Sequence, residues 1–321
     1  MDVVIIGGGI TGTVLTHLLA MRSVHVTLVD AGLQKPRYPL IHSKLLRFHE
    51  DITLSKISEE VYLELSRKLG IKVLQPMDSI TVIPSECYSD TAKLINLWHE
   101  AGARVKVIND IGKYGLKKAA NNEVYILSSD GDNLVNYVQL MRRIRKYNNV
   151  RYVEGKARVN VSNDSVEVVV NDRTLHGGDY YIITAGGAWN STVARDAGLR
   201  VPLLPYKCQA AAFLSRRINY ILYDYVLDIY MRPLGSTMDH VLGLSGLSIV
   251  VGGDGNSKTT EPGKEEGVDR EFLNEVSSKV MSRLGNAFLI GSRFGYCEVT
   301  PDMRPAVGDS GPEQPSVYGW L

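Results

Sequence analysis

The stretch "DVVIIGGGITGTVLTHLLAMRSVHVTLVD" (residues 2–30) decides the fold. Val3 to Ile6 is a continuous apolar run, the pattern of a parallel strand buried on both faces. Gly7-Gly8-Gly9-Ile10-Thr11-Gly12 follows and satisfies G-x-G-x-x-G. From Thr11 to Met21, Val14, Leu15, Leu18 and Leu19 fall at helical spacing. His25 to Val29 reads as a second strand, and Asp30 ends it. Gly7 permits the tight turn out of the strand, Gly9 lets a pyrophosphate approach the backbone, and Gly12 lets the helix pack close to the sheet. Ile10 and Thr11 open the helix whose N-terminus faces the phosphates. The Asp30 carboxylate accepts hydrogen bonds from a ribose. Strand, glycine turn, helix, second strand and terminal acid together predict a dinucleotide-binding unit. The bland alternative is a glycine-rich turn in some other α/β protein, and the motif alone does not choose between FAD and NAD.

The 321 residues are 44% hydrophobic and 22% charged, an ordinary globular composition for one large or two interleaved domains. With 36 basic against 35 acidic residues the formal charge is +1, and no basic run suggests a nucleic-acid or lipid partner. No stretch has the length of a membrane span, and the longest apolar run, Val241 to Val251, is strand-like. Met1 is followed at once by Asp2 and the apolar strand, so no signal peptide is expected. Cys87, Cys208 and Cys297 are far apart and odd in number, which predicts a reducing cytoplasm without disulfides. No CxxC or HxxxH pair offers a metal site.

Beyond Asp30 the pattern becomes mixed, without the run of further α/β units that an NAD enzyme carries. "QKPRYPLIHSKLLRFHEDI" reads as loop, then helix. Helices are expected over Glu59 to Leu69, over Asp90 to Ala101 with Asp90 as N-cap, and over Asp132 to Tyr147. Ile71 to Pro84 reads as two strands with a turn at Pro76 to Asp78. Val150 to Val170 reads as a β-meander, and Asp179 onward as an apolar strand ending at Gly186-Gly187. From Val201 on, strands with sparse helix predict a largely antiparallel sheet, and Gly252 to Gly267 reads as a polar, glycine-rich loop.

Near the far end, "GYCEVTPD" (residues 295–302) carries a cysteine at Cys297, open as core filler, metal ligand, nucleophile or tether. With the N-terminal motif, this stretch and the segments between, the chain resembles the FAD-dependent oxidoreductases of the D-amino-acid oxidase and sarcosine oxidase superfamily. The resemblance covers most of the chain as scattered motifs. It implies an α/β fold, with a Rossmann-like FAD-binding domain (1–74, 123–205 and 296–321) and an α+β, mainly antiparallel substrate domain (75–122 and 206–295). In most amino-acid oxidases the position of Cys297 is an arginine that binds the substrate carboxylate. In the sarcosine oxidase branch a cysteine there bonds to the flavin, so the resemblance implies FAD, covalent if Cys297 plays that part. The same branch takes its carboxylate-binding arginine from a segment like "HSKLLR" (residues 42–47), which nominates Arg47. The bland alternative for Arg47 is a surface ion pair. A planar guanidinium grips a carboxylate bidentately where lysine does not. Ser43 and Lys44 would then face the flavin or its phosphates.

The resemblance further nominates Ala185 and Gly186 beside the flavin phosphates and ribose, and the backbone of Val159 at the adenine. It puts Tyr230, followed by Arg232, over the substrate, and Lys258 near flavin N5, where a cation stabilises superoxide. His42 and His49 read as structural. The expected activity is oxidation of the C–N bond of a small amino or imino acid of sarcosine, proline or glycine type, by hydride transfer to flavin N5. No acid–base residue is required if the amine binds neutral. Oxygen or an electron-transfer partner accepts the electrons. The alternatives are a 2-hydroxy acid or glycerol phosphate dehydrogenase, or a non-catalytic flavoprotein subunit. Relatives continue past "YGWL" (residues 318–321) into a glycine-rich turn and helix, which leaves room for a partner chain.

Overall fold

The computed structural model describes residues 2–33, 39–161, 166–175, 180–199, 201–234, 246–254, 258–264, 267–309 and 317–320. Its first sheet is built on the N-terminal motif. β1 (Asp2–Ile6), β2 (His25–Asp30), β7 (Val150–Glu154), β11 (Tyr180–Thr184), β18 (Val307–Asp309) and β19 (Val317–Trp320) form six strands in the order β18-β19-β11-β1-β2-β7. β1 runs parallel to both β2 and β11, and β11 parallel to β19. β1 is buried from Val3 to Ile6, as expected of a strand covered on both faces. On one side lies α1 (Ile10–Ala20), packed on α4 (Tyr137–Ile144). His17 is fully buried there, with Nε2 on the Leu140 carbonyl at 2.9 Å and Nδ1 on the Tyr147 hydroxyl at 3.0 Å. Burial pulls its pKa down, so it serves as a neutral linker of the two helices. β8 (Ala157–Val161), β9 (Val166–Val170) and β10 (Arg173–Thr174) make a small antiparallel sheet, with α5 (Asn190–Asp196) packed nearby.

The second sheet holds ten strands. β3 (Leu40–Ser43), β4 (Leu74–Pro84), β6 (Glu123–Val135), β12 (Leu204–Arg216), β13 (Tyr220–Asp224), β14 (Ile229–Pro233), β15 (Leu247–Asp254) and β16 (Lys258–Thr259) run in the order β16-β12-β15-β14-β13-β4-β6-β3. β17 (Ala287–Val299) adds to β12, and β5 (Arg104–Ile108) to β6. Register assigns the two faces. Ala211, Gly252, Met231, Leu222, Ile80 and Leu127 lie opposite one another in a row across the sheet. This row packs against Phe272, Val276, Val280 and Leu284 of α6 (Arg270–Leu284). The next positions face the other way. Tyr230 opposes Gly253 and Tyr223, and Arg232 opposes Val251. The second face is thus rich in polar side chains. α2 (His49–Leu69) and α3 (Tyr88–Glu100) cover its β4–β5–β6 end through Ile52 and Trp98, which pack on Ile83 and Ile126.

Arg283 pins α6 to the sheet. It is fully buried, with Nη2 2.8 Å from Glu123 and 3.1 Å from Asp224. Nη1 also donates to the Lys117 carbonyl at 3.0 Å. The two carboxylates come from β6 and β13, so one guanidinium fastens three elements.

Several expectations change. The segment expected as one helix from Asp132 to Tyr147 divides: residues to Val135 finish β6, and α4 begins at Tyr137. Pairing of β6 with both β3 and β4 overrides the helical pattern there. Ile71 to Pro84 holds one long strand, with a bulge between Met77 and Ser79 where a turn is expected. α2 starts ten residues before Glu59, at His49. α3 starts at Tyr88, leaving Asp90 in its first turn. β3 and β6, assigned by the expected boundaries to the dinucleotide domain, are strands of the second sheet. The segment from Gly252 contains the end of β15 and all of β16, and part of it, like residues 241–245 of the apolar run, lies outside the described residues.

Arg283→Leu leaves the Glu123 and Asp224 carboxylates buried without their cation. It is expected to cost about 3–5 kcal/mol, read as a lower urea midpoint with unchanged slope.

Candidate active site

The glycine turn is shaped by contacts that tolerate no side chain. Gly7 has φ +116°, and a Cβ on it would lie 2.1 Å from the Ala185 carbonyl oxygen. A Cβ on Gly12 would lie 1.9 Å from the Gly7 carbonyl oxygen. Gly9 differs, because a Cβ there meets nothing within 4 Å. It is the N-cap of α1, offers no capping side chain, and no acid stands in the first turn. The amides at the start of α1 therefore face open space beside Gly9, the geometry of an anion cradle. Tyr137 and Thr13 hold the turn by donating to the Gly8 carbonyl.

Asp30 is 8% exposed at the end of β2. Its Oδ1 accepts the Gly32 amide at 3.0 Å and its Oδ2 the Tyr152 hydroxyl at 2.9 Å. Ala185 and Gly186 follow β11 and sit against Gly7. The Gly186 amide donates to Asn190 Oδ1 at 2.6 Å, so this turn is closed by its own helix. Val159 is fully buried in mid-β8. An arrangement of this kind can seat a dinucleotide: amides for pyrophosphate, a carboxylate for ribose, and no Cβ in the way. Tyr137, Tyr152 and Asn190 were not signalled by the motif, since their hydroxyl and amide groups reach it only through the fold.

The 42–47 segment leaves β3 and enters α2. His42 Nε2 lies 3.0 Å from the Ser55 carbonyl. Ser43 Oγ accepts the Leu45 amide at 3.0 Å. Lys44 does not stand free to face a flavin or its phosphates. Its ammonium is buried and donates to Glu59 Oε2 at 2.9 Å, because a buried cation needs a partner. Asn133 donates to the other Glu59 oxygen at 3.1 Å. Arg47 is exposed. Trp98 anchors the segment by donating to the Leu46 carbonyl at 3.1 Å.

Arg304 joins this segment to the end of β17. Its Nη2 is 2.8 Å from Asp51 Oδ1, and its guanidinium lies 5.4 Å from the Phe48 ring centroid. Thr300 Oγ1 bonds Asp302 and the Arg304 backbone to fix the turn. The start of α2, just after 42–47, thus meets the turn that follows β17.

Two expectations for this region are corrected. Cys297 is joined to Cys208 by a disulfide, with Cα atoms 6.2 Å apart. β12 and β17 are neighbours, so sequence separation did not predict spatial distance, and the inference of a disulfide-free chain falls with it. A sulfur in a disulfide offers no thiolate to a flavin. Lys258, expected near flavin N5, pairs with Lys207 in register and so lies on the α6 side of the sheet, opposite Tyr230. It is 3.5 Å from Asp269, which also takes the buried Lys207 ammonium at 2.9 Å.

Among the described residues no helix is long and apolar enough to cross a membrane, and no three or more His, Cys, Asp or Glu side chains gather as metal ligands. Glu298, beside Cys297, is half-buried, and burial pushes its carboxyl up to about 7. The acid form is favoured in the fold, so stability is greatest at low pH and declines as pH rises from the ordinary carboxyl range through 7. Glu298→Gln is expected to stabilise the protein at pH 8 by about 1–2 kcal/mol after allowance for solvent access, and not at pH 4, in paired urea titrations.

Comparison with known proteins agrees with this geometry. A family profile for FAD dependent oxidoreductases matches residues 2–320. No curated protein sequence matches significantly. The fold is similar to L-proline dehydrogenase from P. horikoshii, at 20% identity and TM-score 0.79, over 99% of this chain and 87% of that one. It is also similar to iminodiacetate oxidase from Chelativorans sp. BNC1, at 17% identity and TM-score 0.78, over 99% and 89%. Glycine oxidase from Geobacillus kaustophilus aligns at 16% identity and TM-score 0.77, over 99% and 88%. With the profile spanning nearly the whole chain and the glycine cradle in place, this protein belongs to the FAD-dependent oxidoreductases of the D-amino-acid oxidase superfamily.

Proposed function

We propose that the protein oxidises the C–N bond of a small amino or imino acid. The observation that carries this reading is the polar face of the second sheet, where Tyr230, Arg232 and Tyr223 stand in adjacent positions opposite the apolar α6 face. Structural neighbours described as a proline dehydrogenase, an iminodiacetate oxidase and a glycine oxidase support the substrate class. Bound FAD supplies a two-electron acceptor for the hydride released from carbon.

The chain's own residues have separable tasks in this reading. Ile10, Thr11 and Gly12 present helix amides to the pyrophosphate, Gly7 and Gly9 keep that surface bare, and Asp30 receives the ribose. Ala185 and Gly186 border the same turn, and Val159 offers backbone groups to adenine. Ser43 opens the segment that Trp98 and Arg304 anchor. Lys44 acts there through its pair with Glu59. Arg47 supplies the cation for the substrate carboxylate, and Tyr230 lines the pocket. Cys297 stays in its disulfide, so FAD is held without a covalent bond. Oxygen or an electron-transfer partner takes the electrons onward.

The purified protein, loaded with FAD and kept free of oxygen, is expected to lose its flavin colour on mixing with proline, sarcosine, glycine or iminodiacetate. Persistent colour with all four would overturn the proposed substrate class. Acid precipitation is expected to leave the colour in the supernatant; colour in the pellet would restore the tether. Gly9→Ala should fold normally yet bind FAD more weakly, whereas Gly12→Ala should fail to fold stably, as read by flavin fluorescence titration and thermal melting. Arg47→Met should raise KM for carboxylate substrates by about 10- to 100-fold, the loss of one charge-assisted contact.

A further inference from the structure

Some buried polar atoms lack a hydrogen-bond partner among the described residues. They include Ser79 Oγ on β4, and Ser128 Oγ and Asp132 Oδ2 on β6. All three residues are at most 1% exposed. Ser79 and Ser128 are directly opposite in register. Between Ser128 and Asp132 the strand bulges, with Asp130 at φ +64°. Gly131 makes the room, since a Cβ there would lie 2.7 Å from Ser128 Oγ and from Leu45 Cδ2. Bulges re-aim side chains and recur beside active sites.

The other oxygen of Asp132 is committed. Oδ1 accepts the Tyr223 hydroxyl at 2.9 Å. Tyr223 is cross-strand neighbour to Tyr230, on the polar face of the sheet. This carboxyl therefore sits directly behind the surface assigned to the substrate. The charged and titratable groups around Asp132 are few. From β3 come Ser43 and His42, from β4 Ser79, and from β13 Tyr223. Lys44 and Glu59 neutralise each other nearby. Burial outweighs the hydroxyls and holds the carboxyl above its ordinary range. It holds the Tyr223 phenol well above its own.

An amino acid arrives mostly as its ammonium form, and hydride leaves carbon only when nitrogen has a free electron pair. We propose that Asp132 is the internal proton acceptor of this site, working through Tyr223, with Ser79 and Ser128 beside its other oxygen. This rests on the function proposed above and adds an acid–base residue where the sequence suggested none was required. One N–H bond breaks at the substrate. The proton passes to the Tyr223 oxygen as the Tyr223 proton passes to Asp132 Oδ1. Net transfer is one proton and no electrons, and the carboxylate becomes the acid.

The test uses the FAD-loaded enzyme, with Asp132→Asn, Asp132→Glu and Tyr223→Phe. Loss of the acceptor leaves only the free amine as substrate. Asp132→Asn and Tyr223→Phe should each lower kcat/KM at pH 7 by about 100-fold and recover toward the parent near pH 10, the acid limb having moved up. Asp132→Glu should restore the profile in part. An equal loss at every pH, or no loss, overturns the proposal and leaves the pair a structural one. Infrared difference spectra taken against pH give an independent reading. The parent should show a buried carboxyl that titrates above the ordinary range and disappears in Asp132→Asn; its absence also overturns the proposal. If that band is present but no amine is oxidised, it is the proposed function that fails.

Discussion

The approach of Gly12 to the carbonyl of Gly7 governs the first half of the molecule. A single methyl at Gly12 would sit 1.9 Å from that oxygen. Because no methyl is there, α1 packs against β1 and its first amides come to the strand ends. The same closeness places Ala185 against Gly7 and Asp30 beside Gly8. The open start of α1, the seat of Asp30 and the turn after β11 are consequences of one backbone contact. Gly9, where an added Cβ would meet nothing within 4 Å, leaves the start of α1 open.

The second sheet solves a different problem. A ten-stranded sheet must bury one face and can use the other. α6 supplies the apolar cover, and Arg283 secures it with two buried carboxylates. That ion pair network lies on the covered side, away from Tyr230 and Arg232. The polar face can then carry tyrosines, an arginine and a buried acid without undermining the core. Arg304 and the Cys208–Cys297 bond tie the strand that leaves this sheet to its surroundings.

Local chemistry was legible in the sequence where local contacts decide the structure. The βαβ unit from Asp2 to Asp30 follows from apolar runs and glycine spacing; of the meander expected over Val150 to Val170, β8 and β9 pair, but β7 leaves it to pair with β2 in the first sheet. Non-local pairing was not legible. Residues 132–135 look helical alone but lie between two strands. Pro76 suggests a turn, yet a bulge absorbs the irregularity. Lys258 suits a flavin by charge, but its register with Lys207 sets it on the α6 face, opposite to Tyr230. Cys208 and Cys297 are 89 residues apart and adjacent in space. The carboxyl of Asp132 becomes unusual only because the bulge turns it inward among groups from three other strands.

The strand order of the first sheet has a consequence for biosynthesis. β1 and β2 leave the ribosome first, yet their sheet waits for β7, then β11, then β19 near residue 320. At typical elongation speeds of about 5–20 residues per second, the last strand follows the first by roughly 15 to 60 seconds. For roughly the first 9 to 37 seconds, until Thr184 is made, the apolar edge of β1 has no partner at β11. A nascent chain of this topology exposes that apolar edge while it grows, and a bound dinucleotide cannot cover it until β11 exists.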